Sequence, residues 1–257
     1  PVDRFLGIYH NTVKLKDGTI KMTTSAKQYL LDAVKAYLDE TGASSLAYVP
    51  TPSIDDRFDR ASTSPGKLAK NAASHLMKLL YAARLCRGDL LVTTTFLARR
   101  ISKWSLNEDR RLHRLMSYCW HHAGKELIHQ LHPDDLKTAF LDYSPDAELG
   151  GDPYSTKASG GFWLELSSPC GTRKWPICFA TKKAGHTSGS TADSETWSMI
   201  GANDNGLKKE VIPLLHQLEV SLNRPVKLVC KEDNTACITA IQKGYSTALR
   251  YLKRHSE

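Results

Sequence analysis

Three acidic residues in the second half of the sequence have the side chains and positions that a metal site needs. Asp146 follows the short apolar run 139–141, and Asp233 follows the β-rich stretch 226–230. Glu195 opens a long helical pattern. The order strand-Asp, helix-Glu, strand-end-Asp can bring three carboxylates together on an α/β sheet, and Mg²⁺ prefers such oxygen ligands. The sequence therefore predicts a divalent-cation site formed by these three residues.

Composition indicates a globular protein with a normal core. The chain has 257 residues, of which 41% are hydrophobic and 24% charged, and its net charge is +8. No apolar run approaches the roughly 18 residues that span a membrane, so no membrane partner is expected. The opening lacks an initiating Met and a signal peptide and is typical of the middle of a strand, which predicts a fragment or a processed product.

The cysteines, histidines and basic residues each favour a simple interpretation. Six scattered cysteines without a CxxC pair predict buried, reduced thiols and an intracellular compartment. The histidines between 113 and 132 share no face and no acidic partner, which disfavours a metal site. Residues 84–125 contain nine Lys or Arg and three Asp or Glu, as expected of a face that follows a phosphate backbone. A solvated helix surface is the alternative.

The first half of the chain predicts a hairpin followed by helices. Asp17-Gly18 lies between two alternating runs, which indicates a β-hairpin, and Thr24 or Ser25 is placed to cap a helix that extends to Leu38. An irregular, Pro-rich stretch covers 48–66. Helical periodicity then predicts a compact bundle of three segments, 67–87, 89–102 and 107–124.

Beyond residue 133 the pattern changes to strands, and a domain boundary is expected near 130–136. Strands are predicted at 137–143, 161–167, 174–182 and 226–231, and helices at 192–221 and 233–243. Three strands, a helix, a strand and a helix form an α/β order in which the hairpin strands are antiparallel and the later strand pairs in parallel.

This order is that of the ribonuclease H fold, and several motifs resemble those of copia-type retrotransposons. Four segments are similar to the ribonuclease H motifs of that family: Tyr143–Asp152, Ser155–Phe162, Ser190–Trp197 and Glu232–Ile238. Three upstream segments resemble the region that joins the reverse transcriptase to the nuclease: Arg4–Ile8, Leu76–Arg84 and Thr95–Arg99. The motifs occur in the family's order over most of the chain.

The resemblance implies two domains. Residues 1–132 would be the C-terminal, thumb- or connection-like part of a reverse transcriptase, helical with an N-terminal hairpin. Residues 133–257 would be a ribonuclease H-like, three-layer domain with a mixed five-stranded sheet and helices, truncated at its C-terminus. The polymerase aspartates would precede residue 1, so the implied partner is the polymerase part of the same polyprotein. The implied location is intracellular, in a cytoplasmic retroelement particle or the nucleus.

The resemblance also implies a chemistry, the hydrolysis of RNA in RNA/DNA hybrids. Asp146, Glu195 and Asp233 would hold two Mg²⁺ ions, or Mn²⁺ in their place, about 4 Å apart. His186 is a candidate proton shuttle. Ser190 lies three residues before Asp193, which predicts that Asp193 caps a helix rather than binds metal. The hybrid groove would be formed by Ser155, Thr156, Lys157, Ser159, Lys182, Lys183 and Asn234.

Three departures from the family pattern leave alternatives open. Pro145 is inserted beside the first Asp, so Asp142 competes with Asp146 as the first ligand. The family's C-terminal acidic residue has no clear match in 249–255. A catalytically inert remnant that binds nucleic acid or supports a polymerase is therefore the alternative function. An integrase-like strand transferase is disfavoured because integrases space their acidic residues differently.

Overall fold

The computed structural model describes residues 3–54, 62, 64–149, 157–185, 187–200 and 207–243. Within these residues the protein is of the mixed α+β class, with two four-stranded sheets and seven α-helices. The chain divides into two compact units, one of residues 1–13 and 22–128 and the other of residues 14–21 and 129–257. The chain thus enters the second unit at residue 129, next to the stretch 130–136 where its pattern changes, and residues 14–21 also belong to that unit.

The first sheet has the strand order β1-β2-β3-β4. Its strands are β1 (Arg4–Phe5), β2 (Ile8–Lys14), β3 (Ile20–Ser25) and β4 (Leu127–Leu131). The Asp17-Gly18 turn joins β2 and β3, as predicted: Gly18 has φ +90°, and the backbone N–H of Thr19 donates to Asp17 Oδ1 at 3.0 Å. Strand β4 was not predicted, because its five residues follow a helical pattern without a turn signal.

Helix α1 (Lys27–Thr41) follows β3 and ends at Gly42, whose left-handed conformation lets its N–H donate to the Leu38 carbonyl. The prediction that Thr24 or Ser25 caps this helix is wrong. The N-cap position is occupied by Ala26, which has no capping side chain, so the first turn starts one or two residues later than the hydroxyls would dictate.

Three further helices complete the first unit: α2 (Ala72–Leu85), α3 (Leu91–Ala98) and α4 (Leu106–His121). Helix α1 packs on α2 and α4, and α3 packs on the same two helices. Helix α4 begins with a capping box, in which Ser105 accepts from Asn107 N–H and donates to Glu108. The fully buried apolar side chains of the helices form the core of this unit: Leu30, Val34, Leu76, Leu79, Leu97, Leu112, Leu115 and Met116. The helical prediction for this part of the chain is confirmed.

The second sheet has the strand order β7-β6-β5-β8. Its strands are β5 (Phe140–Glu148), β6 (Ser159–Ser167), β7 (Lys174–Lys183) and β8 (Leu228–Cys230). Strand β6 pairs antiparallel with both β5 and β7, whereas β8 pairs parallel with β5. The predicted strand directions are therefore confirmed, with four strands in the described residues against the five expected.

Strand β5 is longer and lies later than predicted, so that Asp146 is inside the strand rather than after it. Pro145 argues against a strand at this position, because proline has no N–H to donate to a neighbouring strand. Pro145 is opposite Phe162 of β6, while the pairing of β5 with β8 extends over residues 141–143. Since β8 does not pair at residue 145, a proline there costs β5 little.

Three helices belong to the second unit: α5 (Thr191–Ile200), α6 (Ile212–Leu222) and α7 (Thr235–Lys243). A π-helical turn at Leu207–Val211 precedes α6, and the single helical segment expected over 192–221 is therefore not one regular α-helix. The apolar side chains between sheet and helices form one core cluster, comprising Leu141, Tyr143, Phe162, Leu164, Met199, Val211, Val226 and Cys237.

All six cysteines are free, but their burial differs from the prediction. Cys86, Cys119 and Cys237 are buried, Cys178 is half-buried, and Cys170 and Cys230 are exposed because they lie in a turn and at the end of β8. In the described part of the chain, no helix has the length and apolar character of a membrane span.

Candidate metal centre

Three carboxylates of the second unit converge on one point. Glu195 lies in α5, and Glu232 and Asp233 lie in the connection between β8 and α7. One oxygen from each of the three lies within 4.8 Å of the others. Glu195 is buried, Glu232 is half-buried and Asp233 is exposed, so the group opens toward solvent on one side. We refer to these three residues as the acidic trio.

The start of α5 fixes the position of Glu195. The backbone N–H of Asp193 donates to Ser190 Oγ at 3.2 Å, and the Asp193 carboxylate accepts from Gly189 N–H at 2.8 Å. The prediction that Asp193 is a capping residue is thus confirmed. Since these bonds hold the first turn of α5, Glu195 projects from a defined place in the second turn.

Helix α5 lies directly against β5 and β6. The Tyr143 hydroxyl donates to the Met199 carbonyl at 2.9 Å, and Ser198 Oγ donates to the carbonyls of Asp146 and Gly161 at 2.8 and 3.0 Å. A Cβ on Gly160 would lie 2.7 Å from Ser198 Oγ and 2.9 Å from the Trp197 ring. The glycine therefore permits the close approach that brings the helix to the sheet.

The segment after β8 separates its charged side chains into two groups. Lys231 N–H donates to the Tyr143 carbonyl at 2.8 Å, and Lys231 Nζ pairs with Asp142. The next residue, Glu232, contributes instead to the acidic trio, and its Oε1 accepts from Asn234 N–H at 3.0 Å. Asn234 Oδ1 in turn accepts from Cys237 N–H at 3.0 Å and caps α7. Main-chain hydrogen bonds thus anchor both sides of Glu232.

Burial and mutual repulsion dominate the electrostatics of the acidic trio. Desolvation and, after it, the charges of Glu232, Asp146 and Asp233 raise the pKa of Glu195 to about 7. Desolvation also raises the pKa of Glu232, and Asp233 and Asp146 add to the effect. Oε2 of Glu195 and Oε2 of Glu232 are buried without a hydrogen-bond partner among the described residues. Two unsatisfied carboxylate oxygens side by side are the environment that a cation or a proton would relieve.

The three residues singled out in the sequence have different positions. Glu195 and Asp233 belong to the acidic trio. Asp146 is exposed on β5 and is not one of the three, although its charge acts on both glutamates. Glu232 was missed, because the motif resemblance assigns only Asp233 of the pair 232–233 to the site. The regular strand ends at Cys230, so both residues lie in the connection after β8.

Asp142, the alternative to Asp146, belongs to a separate polar network. It is 1% exposed, pairs with Lys231, and accepts from Ser167 Oγ at 3.5 Å. Ser167 also donates to Glu165 at 3.3 Å, and Glu165 accepts from Lys174 Nζ at 2.6 Å. The network places a lysine beside each buried carboxylate. Asp142 therefore has a structural counter-ion and lies outside the acidic trio.

The residues expected in a nucleic-acid groove are only partly described. Ser155, Thr156 and His186 lie outside the described residues. Lys157 Nζ donates to the Gly185 carbonyl at 2.8 Å. Ser159 and Lys183 face each other across β6 and β7, and Lys182 is exposed beside them. The side-chain oxygen of Asn234 caps α7, as described above. Arg173 and Lys174, also basic, are paired with Asp135 and Glu165.

Much of the basic stretch 84–125 is engaged within the first unit. Arg87 is 1% exposed and bonds Asp89 through two hydrogen bonds of 2.9 Å. Arg100 pairs with Glu108 at 2.9 Å, and Arg114 donates to the Ser53 carbonyl at 2.8 Å. These three side chains stabilise the helices, so the phosphate-binding face predicted from charge alone is reduced.

The histidines of this region also have structural partners. His121 and His122 bond the carbonyls of Leu46 and Val49 at 2.9 and 3.0 Å, and His113 bonds the Tyr37 hydroxyl at 2.9 Å. In the described part of the chain, the one group of metal-ligand type is the acidic trio, which contains no histidine.

No protein-family model matches this chain, and no curated protein matches it either.

Proposed function

We propose that this protein is a Mg²⁺-dependent nuclease that hydrolyses the RNA strand of RNA/DNA hybrids. The observation that carries the proposal is the acidic trio, in which two buried glutamate oxygens have no hydrogen-bond partner among the described residues. Such a set of hard oxygen donors suits Mg²⁺ or Mn²⁺. The motif resemblance and the strand order β7-β6-β5-β8 support a ribonuclease H-like domain as the scaffold.

The donor set fits a divalent cation. Glu195, Glu232 and Asp233 each supply one oxygen, and the exposed Asp233 leaves a side of the group open to water and to a phosphate. When bound, the ion would supply Lewis-acid stabilisation of the phosphodiester and lower the pKa of a water.

The remaining residues would orient the substrate and the attacking water. Asp146 is exposed on β5, where its carboxylate can accept a hydrogen bond from a water or from a ribose 2′-hydroxyl. Lys182 and Lys183 bring positive charge to the end of β7, opposite Gly160 and Ser159 of β6. Positive charge at this edge would attract the phosphate backbone without reading its sequence.

In this proposal the chain works as part of a larger retroelement protein. The first unit would be the connection to a copia-type reverse transcriptase, and the polymerase of the same polyprotein would be the partner. The site of action would be an intracellular retroelement particle or the nucleus. The support is the collinear order of the motifs from Arg4–Ile8 to Glu232–Ile238.

A second candidate function is an inert, nucleic-acid-binding remnant of such a nuclease. The observation that favours it is the position of Asp146, which is not part of the acidic trio. If hydrolysis of the phosphodiester requires Asp146 as a ligand of the ion, the protein would bind nucleic acid without cleaving it.

The experiment incubates the full chain with a labelled RNA/DNA hybrid and Mg²⁺. The parent is expected to cleave the RNA strand, and Asp146→Asn and Glu195→Gln are each expected to reduce the rate by roughly 100-fold or more. Glu126→Gln, an exposed glutamate of the first unit, is the control. Binding without cleavage by the parent would contradict the nuclease and favour the remnant. Loss of activity in Asp142→Asn with full activity in Asp146→Asn would show that Asp142 is the catalytic aspartate.

A further inference from the structure

We propose that Glu195, Glu232 and Asp233 form the protein ligand set of a single divalent cation, and that Asp146 is not required to bind it. This inference rests on the proposed function for the choice of Mg²⁺ and Mn²⁺ as the ions. It differs from the expectation drawn from sequence, in which Asp146 was a ligand and Glu232 was not.

The two glutamates are held in different ways. Oε1 of Glu232 accepts from Asn234 N–H at 3.0 Å, so the main chain fixes one side of this carboxylate. Glu195 projects from α5, whose first turn is held by Ser190 and Asp193. In both residues Oε2 is buried and has no hydrogen-bond partner among the described residues. A carboxylate held in place before an ion binds is a preorganised ligand, because little side-chain freedom remains to be lost on binding.

Burial separates the unpartnered oxygen of Glu195 from solvent. Glu195 is 4% exposed, so bulk water cannot satisfy this oxygen. A buried carboxylate that lacks a partner is rare in folded proteins and costs free energy, unless an ion or a specific water occupies the site. The third carboxylate, Asp233, is exposed, so the group is open to solvent on that side. Mg²⁺ and Mn²⁺ typically keep several waters, which this open side accommodates.

Asp146 contributes no oxygen to the acidic trio. Its side chain is exposed on β5, and its oxygens are not among the three that lie within 4.8 Å of one another. The backbone of Asp146 is used instead, because its carbonyl accepts from Ser198 Oγ and helps to hold α5. Removing the Asp146 charge therefore leaves all three oxygens of the acidic trio in place, and the ion should remain bound, more weakly only because one nearby negative charge is lost.

The test measures ion binding alone. The full chain is freed of metal with a chelator and titrated with Mn²⁺ by calorimetry near neutral pH, without nucleic acid. The parent is expected to bind one ion per chain. Glu232→Gln should weaken binding by about tenfold or more, Asp146→Asn should weaken it clearly less because it removes a nearby charge and no ligand, and the control Glu126→Gln should bind like the parent. Glu195→Gln and Asp233→Asn should behave like Glu232→Gln, and circular dichroism checks that each variant folds.

Three results would overturn the inference. They are the absence of Mn²⁺ binding by the parent, parent-like affinity in folded Glu232→Gln, and a loss in Asp146→Asn as large as that in Glu232→Gln. The same preparations are then incubated with the RNA/DNA hybrid. Ion binding that follows the expected pattern without any cleavage would contradict the proposed function but leave the ligand assignment intact.

Discussion

Two groups of carboxylates lie beside the second sheet, and only one of the groups contains counter-ions. In the first group, Asp142 pairs with Lys231, and Glu165 pairs with Lys174 at 2.6 Å. In the acidic trio, the charges that act most strongly on Glu195 are those of other carboxylates. The two groups are close in sequence, since Lys231 belongs to one and Glu232 to the other.

The difference separates a structural role from a ligand-binding role. A buried carboxylate with a lysine and a hydroxyl donor has its charge compensated by the protein itself, as Asp142 Oδ2 has by Lys231 and Ser167, while Asp142 Oδ1 has no hydrogen-bond partner among the described residues. A buried carboxylate that lies next to other carboxylates destabilises the fold until a cation or a proton binds in the site. Of the two groups, only the acidic trio contains carboxylates whose mutual repulsion no lysine among the described residues compensates. This group is the candidate metal centre.

The largest expected effect comes from removing the counter-ion of Asp142. Lys231→Met leaves this carboxylate buried without a cation, and we expect the free energy of unfolding to fall by about 3 kcal/mol. Urea denaturation of parent and variant measures the difference. Lys227→Met is the matched control, because Lys227 is exposed in the same segment. Equal stability of the two lysine variants would show that Asp142 does not depend on Lys231.

For the acidic trio, removing a charged side chain is expected to raise the free energy of unfolding rather than to lower it. The pKa of Glu195 is raised to about 7 from the ordinary 4.5, so the folded chain binds more protons than the unfolded chain between these values. The contribution of Glu195 to the free energy of unfolding therefore falls as pH rises through this window, by about 3 kcal/mol at most. Glu195→Gln removes this dependence. The variant should be more stable than the parent above the window and equal to it below.

Urea denaturation over a pH series, with a chelator present, measures this effect. Glu126→Gln is the control, because an exposed glutamate should change neither the stability nor its pH dependence. If Glu195→Gln were destabilising at every pH, the carboxylate would be satisfied in the fold and the contrast between the two groups would be lost.

A smaller effect is expected from adding the ion itself. Mg²⁺ at about ten times its dissociation constant should raise the free energy of unfolding by about 1.4 kcal/mol, because it binds the folded state. Glu232→Gln should lose this gain. Lys231→Met should keep it, provided that it folds, because Lys231 contacts the other group. Thermal melts with and without Mg²⁺ compare the three proteins, and a gain that survives in Glu232→Gln would place the ion elsewhere.

The sequence was most informative where periodicity is long and the turn residues are specific. The helices of the first unit follow from apolar residues at helical spacing, and the Asp17-Gly18 hairpin follows from its turn chemistry. Strand β4 was missed because five residues carry too little pattern, and β5 was displaced because Pro145 is normally a sign that a strand has ended. Strand β5 tolerates that proline only because β8 does not extend beside it. The extent of this pairing depends on the tertiary structure and cannot be read from the local sequence.

The sequence indicated where in the chain the candidate site lies, but not which acidic residues form it. Glu195 could be placed because the Ser190 and Asp193 spacing fixes the start of its helix. Glu232 could not, because its direction depends on where β8 ends and on the hydrogen bond from Asn234. Likewise, the charge of residues 84–125 suggested a phosphate-binding face, while the pairing of Arg87 and Arg100 with acidic partners depends on the packing of α2, α3 and α4.

The adjacency of Lys231 and Glu232 makes the length of this connection critical. The insertion of a single residue between Val229 and Lys231, with β8 held in register, would carry the lysine one position along the chain, toward the place that Glu232 now occupies. An ammonium group there would neutralise the remaining acids permanently and exclude any exchangeable metal. Small insertions at this junction should therefore be far more damaging than substitutions of the neighbouring residues.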